Sequence, residues 1–488
     1  MRIGVLVAVL LYEIIAIFGV GLVIAKKRNK EEEGGFALGG RSMGVIVVAS
    51  TIALTVLGAA HILGVFEMTF GMGAVAFWFS LAHVVLIIVA CFGTGLWVRR
   101  MGITTVPEAL MGMYGKKNAL AISCVMAGVI WGILTLETQG VGIVFATLTG
   151  LTIVQGAILG GVLGIFYVVL AGMEEVGVVN VINAVVMYLG LIVATIFVAM
   201  RLPGGNFDTV QNYFDAEPFM TSIFGTPELF ITFAIAQVIA VVFCQGISQM
   251  LMQAYMSAKD EKTIRKSVWI AAPLNGLFGV FAVTIGLTAK ALPQYAALGP
   301  KMAATTMIVD MLPGWVAAML LASLLAAILS TFAMTSLTSA TIFAIDIYKG
   351  LFKHNASEKQ VTTVIRVMVV LLGAVAIAVA SYLPPILAAI NWLFAWIVPV
   401  FWLFVTGLFW KCSHGVATAT LAITWVINMI WTFTSLPAAI GGLIGSLPNG
   451  YITLATSLVV IIIGNLTVKG EPGYFKVHEF KEVKAVSE

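Results

Sequence analysis

Residues 51–64 read TIALTVLGAAHILG. The stretch lies inside an apolar run long enough to cross a bilayer, yet it carries Thr55, then Gly58, Ala59 and Ala60, then His61. Small and polar residues in mid-membrane have two readings. They let helices approach closely and bond across the interface, or they mark a helix that breaks, which a bilayer tolerates only where protein or water satisfies the freed backbone. A second stretch of the same kind is VVFCQGISQ, residues 241–249, with Gln245, Gly246, Ser248 and Gln249 in mid-run.

The chain around them is a polytopic membrane protein. Of its 488 residues 61% are hydrophobic and only 10% charged, far below the charge of a soluble domain. Apolar runs near twenty residues recur along the whole length. They do not alternate as barrel strands do, so the fold is an all-α helical bundle. We read thirteen transmembrane helices: 2–25, 43–70, 73–98, 118–149, 152–171, 176–200, 226–256, 267–291, 313–345, 360–382, 385–410, 415–434 and 449–468. The first ends in KKRNKEEE rather than a small-residue cleavage site, and is read as a retained helix. The cysteines Cys91, Cys124, Cys244 and Cys412 suggest neither a disulfide framework nor a metal spacing.

Orientation follows from lysine and arginine. With the N-terminus outside, the inward segments hold all of the 26 basic residues except Arg2, Arg201, Lys290 and Lys301. That asymmetry supports a cytoplasmic C-terminus and the span count together. The net charge of +4 therefore reflects topology and gives no reason to expect nucleic acid. The expected partners are the lipid bilayer, a small solute and an ion; the sequence says nothing of oligomeric state.

The two interrupted spans are five apart. An odd separation gives them opposite directions through the membrane, as inverted repeats require, and such repeats build a binding site from broken helices at mid-depth. The helix over 313–345 faces the same question. Its stretch 326–341, AAILSTFAMTSLTSAT, holds seven hydroxyls. Na⁺ is a hard cation that takes oxygen ligands, and Ser330 and Thr331 are adjacent donors. The alternative is that such hydroxyls bond back to the carbonyl four residues earlier. That, or helix packing, is the reading for Thr335, Ser336, Thr338, Ser339 and Thr341; spacing alone leaves Ser330 and Thr331 open.

Five stretches carry a resemblance: LGGRSMG (38–44), TTVPEALMGMYGKK (104–117), SAKDEKTIRKS (257–267), AAILSTFAMTSLTSATIFAIDIYKG (326–350) and GLFWKCSHG (407–415). In this order and at these places relative to the spans, they resemble the sodium/solute symporter family, over nearly the whole chain. The resemblance implies thirteen helices with a core of two inverted five-helix repeats and discontinuous helices, of the LeuT type. Residues 1–42 would be a peripheral helix and loop, 43–200 and 226–410 the repeats, 411–468 two peripheral helices, and 469–488 a cytoplasmic tail. It further implies a sodium site formed by the Ser330 and Thr331 hydroxyls with the carbonyls of Ala327, Leu54 and Leu57. Na⁺ would be the coupling ion, and no enzymatic activity is expected.

Departures bear on stoichiometry and substrate. Many members carry Thr-Asp-x-x-Gln at the start of the sixth span, where this chain has Asn180 and Asn183. Ala333 and Met334 stand where some members have further hydroxyls for a second sodium. One Na⁺ per substrate follows. Val56 replaces the Asp of proline-type members, and Ala254 and Met113 replace two usual arginines. The substrate pocket is expected among Thr55, Gly58, His61, Trp131, Glu137, Phe243, Gln245 and Trp392. Each has a packing alternative, since aromatic residues anchor membrane helices, but an acid such as Glu137 inside a membrane helix is costly and usually functional. The class expected is inward symport of an amino acid, carboxylate or related metabolite in the plasma membrane. The rival reading is proton coupling through His61 and Glu137; a channel would need a continuous polar stripe that these helices lack.

Overall fold

The computed structural model describes residues 3–20, 22–23, 35–169, 172–380, 382 and 386–477. The basic loop with Lys26, Lys27, Arg28 and Lys30, and the tail beyond residue 477, lie outside the described residues. The main helices in chain order are α1 (Ile3–Ile14), α2 (Val45–Thr55), α3 (Ala59–Met72), α4 (Phe77–Ala90), α5 (Val106–Thr149), α6 (Ile153–Val169), α7 (Met173–Arg201), α8 (Pro227–Gln245), α9 (Gln249–Met256), α10 (Glu261–Ala291), α11 (Gly314–Ile342), α12 (Glu358–Ala380), α13 (Ile386–Ala395), α14 (Val398–Phe409), α15 (His414–Phe433) and α16 (Asn449–Thr467). The short strands Lys411–Cys412 and Glu471–Pro472 pair antiparallel.

Among the described residues, ten helices are long and apolar enough to cross a membrane, with three shorter apolar ones beside them. This does not establish thirteen. The continuous apolar run Ala59–Met101, 43 residues, joins part of one expected span to the whole of the next. At 1.5 Å per residue it is about 65 Å long, roughly twice the hydrocarbon thickness. Gly73, at φ 70° and ψ −147°, is where it turns.

The hydroxyl-bearing helix α11 is the axis of the bundle. It is buried from Val316 to Ile342 with the single partial exception of Met319, as a helix apolar all round must be. It packs on α1, α5, α6, α7 and α12. Helix α6 approaches through a glycine face, a device of membrane helix packing. A Cβ at Gly164 would lie 2.6 Å from Phe332 Cδ1, and one at Gly160 would collide with Val141.

One end of the bundle is tied by the short stretches singled out in the sequence. Met43 donates its N–H to the Ser257 carbonyl at 3.1 Å and accepts from Lys259 N–H at 3.1 Å, joining 38–44 to 257–267. The buried Arg99 donates to the carbonyls of Ala258 and Lys259 at 2.8 and 3.1 Å. Arg100 meets Glu261 through two bonds of 2.6 and 2.8 Å. Thr105 caps α5 in a capping box with Glu108, while its hydroxyl donates to Asp346 at 2.8 Å. Tyr114 donates to the Leu403 carbonyl at 2.8 Å. Gly115, at φ 77°, lets the chain bend beside His414, whose Cε1 lies 2.9 Å from where a Cβ would sit.

The glycine face gives a direct test. Gly164→Val should destabilise by about 1–3 kcal/mol, the usual result of overpacking, and lower the thermal midpoint in detergent. Gly128→Val, at a position with no other atom within 4 Å of a new Cβ, should leave the midpoint nearly unchanged.

Candidate functional site

Helix α2 stops at Thr55 and α3 begins at Ala59, leaving Val56, Leu57 and Gly58 unwound. Several of the backbone groups freed at the break find partners. Leu57 N–H donates to the Leu54 carbonyl at 3.2 Å, and the Gly58 carbonyl accepts from His61 and Ile62 N–H at 3.0 and 2.9 Å. The Val56 carbonyl accepts from His61 Nδ1 at 3.2 Å. Ala59 N–H, at the first turn of α3, donates to Glu137 Oε2 at 2.7 Å. Gly58 admits that carboxyl: an added Cβ would overlap it.

The carbonyl end of α2 meets α11. Thr331 donates its hydroxyl to the Leu54 carbonyl at 2.9 Å and reaches the Ala327 carbonyl at 3.3 Å. Ser330, next along the helix, donates to Asn180 Oδ1 at 2.5 Å. Thr331, Ala327 and Leu54 thus converge, Leu57 is bonded to the same Leu54 carbonyl, and Ser330 is turned one step aside onto α7. The other hydroxyls do other work. Thr335, Ser336 and Thr341 bond back along their own helix, Thr338 donates to Gln253 Oε1 at 3.0 Å, and Ser339 donates to the Ala127 carbonyl at 2.7 Å.

The second interruption lies between Gln245 and Gln249. Thr94 donates to the Gly246 carbonyl at 2.5 Å, and Ser248 N–H to that of Gln245 at 3.1 Å. The Gln249 side chain spans two helices, accepting from Val106 N–H at 2.7 Å and donating to the Thr104 carbonyl at 2.8 Å. Gln245 Nε2 lies 3.0 Å from His83 Nε2. His83 Nδ1 donates to the Phe79 carbonyl at 2.7 Å, so Nε2 of the neutral ring is the acceptor and the glutamine amide donates. His61 is held likewise: Nδ1 on Val56, Nε2 at 2.7 Å from the Ser80 hydroxyl. The two rings lie 4.6 Å apart.

Both breaks open on one buried cavity of about 20 Å³, room for about one water. An organic solute does not fit in this conformation. Thr55, Gly58, His61, Glu137, Gln245 and Thr331 line it. Trp131, Phe243 and Trp392 do not. Trp131 and Trp392 border a separate hollow of about 840 Å³, where they donate to the Leu372 carbonyl and the Thr432 hydroxyl. Phe243 stacks on Trp402 with ring centroids 5.2 Å apart. The reason is periodicity. Each lies two residues from one that does line the cavity, namely Ile133, Gln245, and Ile390 with Phe394, and residues two apart on a helix point to opposite sides. Sequence reading missed His83 and Phe79, which also line the cavity. The pair Ser80 and His83, three apart in an apolar run, was the available signal.

A family model described as the sodium:solute symporter family matches residues 36–422. The chain is 25% identical over 463 residues to a sodium/glucose cotransporter of Vibrio parahaemolyticus, covering 88% of this chain and 82% of that protein. It is 26% identical over 504 residues to sodium/proline symporter 2 of Staphylococcus saprophyticus, covering 97% and 95%. The structure of a Na⁺-coupled sialic acid symporter, in a substrate-bound outward-open state, superposes with a TM-score of 0.81 at 17% identity, over 96% of this chain and 99% of that one. The fold is therefore that of the LeuT-type transporters, and these relatives are transporters rather than enzymes.

The contact between Glu137 and Ala59 is separable from any transport role. Glu137→Leu should leave a buried N–H unpaired and lower stability by about 1–3 kcal/mol. Glu137→Gln keeps an acceptor and should lose much less. Thermal unfolding of both variants checks this; equal losses would remove the cap from the account.

Proposed function

The chain belongs to the sodium:solute symporter family, and from that premise we propose a site and a stoichiometry for its sodium-coupled symport of a small solute. One Na⁺ is held per substrate, by the hydroxyls of Ser330 and Thr331 and the carbonyls of Ala327, Leu54 and Leu57. The observation that carries this is the convergence of Thr331 Oγ1 on the carbonyls of Leu54 and Ala327, at 2.9 and 3.3 Å. These oxygens belong to two different helices, and one of those ends there. The carbonyl end of α2 carries the negative end of its dipole and favours a cation. The Ser330 hydroxyl, which donates its hydrogen to Asn180, keeps its lone pairs for an ion. Asn180 in place of an acid, and Ala333 and Met334 in place of hydroxyls, support a single ion.

The substrate cavity lies between the two breaks, lined by Thr55, Gly58, His61, Glu137 and Gln245. Sodium favours the arrangement in which α2 and α11 are close, and that arrangement completes the wall the solute meets. Coupling through a shared two-state element needs no contact between ion and solute. Moving one charge inward through 100 mV yields about 2.3 kcal/mol, and a tenfold Na⁺ gradient about 1.4 kcal/mol. Together they sustain roughly 500-fold accumulation of a neutral solute. The protein sits in the plasma membrane with its N-terminus outside and transports inward.

Thermal shift in sodium against potassium tests the ion site. Saturating Na⁺ at about 100 times its Kd should stabilise the protein by about 2.7 kcal/mol. The double variant Ser330→Ala, Thr331→Ala should abolish that shift, while Ser339→Ala should keep it. Uptake that survives replacement of sodium by potassium and follows a pH gradient would instead favour the proton reading at His61 and Glu137.

A further inference from the structure

We infer that the solute is a small organic cation that presents N–H donors, an ammonium or amidinium, bound between Glu137 and Gln245. This rests on the cavity proposed above being the substrate site. Three observations lead to it.

The first concerns the half-helix N-terminus. In an interrupted membrane helix this end is positive and suits an anionic group of the substrate. Here the protein's own carboxyl occupies it: Glu137 Oε2 accepts from Ala59 N–H at 2.7 Å, and Gly58 leaves the space for that approach. A carboxylate solute would meet a second carboxylate rather than a free helix end. The second concerns charge. No arginine or lysine lines the cavity, and a carboxylate removed from water needs a positive partner. The helix end supplies only a partial charge.

The third is the polarity of the remaining groups. Both histidines direct Nδ1–H at a backbone carbonyl of their own helix region. Their Nε2 atoms accept, from Ser80 and from the Gln245 amide. No histidine N–H is left for the cavity. The Gln245 amide, having donated to His83, leaves Oε1 buried with no protein partner, and Thr55 Oγ1 is likewise buried without one. Both residues line the cavity and are more than nine-tenths buried. A buried amide oxygen without a donor is costly, so the complementary solute supplies a donor to Gln245 Oε1, and the Thr55 hydroxyl can accept from it as well. Phe79 and Phe394 are also on the wall, and aromatic rings are compatible with a cation.

The test uses purified full-length protein with matched probes on butyl, cyclohexylmethyl and benzyl frames, each as ammonium, amide and carboxylate. Thermal shift is read in sodium and in potassium. Ammonium probes should give the largest shift, only in sodium, and carboxylates none. Glu137→Gln should weaken ammonium binding roughly 30-fold, as loss of one partner of a buried charge pair does, and narrow the gap between ammonium and amide. Carboxylates or amides that match the ammonium series overturn the inference, as does a protein that shifts with sodium but with none of the ammonium frames. Absence of any sodium shift in the unliganded protein instead counts against the ion site on which the symport reading stands.

Discussion

Three residues of unwound chain in the middle of a membrane helix govern this structure. Val56, Leu57 and Gly58 cannot leave their backbone groups bare in a medium without water. The partners come from far away in sequence: Thr331 for the Leu54 carbonyl and Glu137 for the Ala59 N–H. His61, one turn on, covers the Val56 carbonyl. The polar side chains that make the break tolerable are the same ones that face the cavity. Site and structural repair are one set of residues. That is why the chain keeps a carboxyl, two imidazoles and paired hydroxyls at a depth where each is expensive.

The two halves of the break differ in character, and the difference sets what each can hold. The α2 end offers carbonyl oxygens with hydroxyls facing them. The α3 end offers an N–H already bonded to a carboxyl. On the proposed reading a cation has its place at the first, while the second has its N–H already taken by the chain's own carboxyl. At the far end of the bundle Met43, Arg99, Arg100, Thr105 and Tyr114 join the chain stretches directly.

Much of this was legible in the sequence. Membrane class followed from composition, and both breaks followed from small and polar residues placed where a helix needs neither. The five stretches behind the family resemblance proved to be largely contacts with one another at a single end. The expected boundary between 70 and 73 falls where the run Ala59–Met101 turns, at Gly73, while the count of thirteen spans is not established. The cavity wall was half legible. Glu137 and His61 stand out as polar residues in apolar runs, but Glu137 meets a backbone N–H and His61 a backbone carbonyl besides Ser80, and no side-chain pattern announces the backbone partners. Trp131, Phe243 and Trp392 were chosen by chemistry without regard to phase. Counting from Glu137 and Ile390 around their helices would have set Trp131 and Trp392 aside and pointed to Ile133 and Phe394 instead.

The small cavity makes the coupling argument concrete. A space of about 20 Å³ cannot admit an organic solute, so the proposed binding there requires the elements around it to separate. The wall is shared: Thr331 and Thr55 touch both the cavity and the region where α2 meets α11. Anything that fixes the distance between those helices therefore also fixes part of the solute's surroundings. A single hydroxyl-to-carbonyl bond contributes about 1 kcal/mol, too little to hold two helices in one arrangement against thermal motion. A dehydrated ion contacting several oxygens on both helices holds them more firmly, and coupling free energies of about 1–3 kcal/mol are enough to link two ligands. The weak Thr331–Leu54 contact is thus suited to a joint that an ion closes and its departure releases.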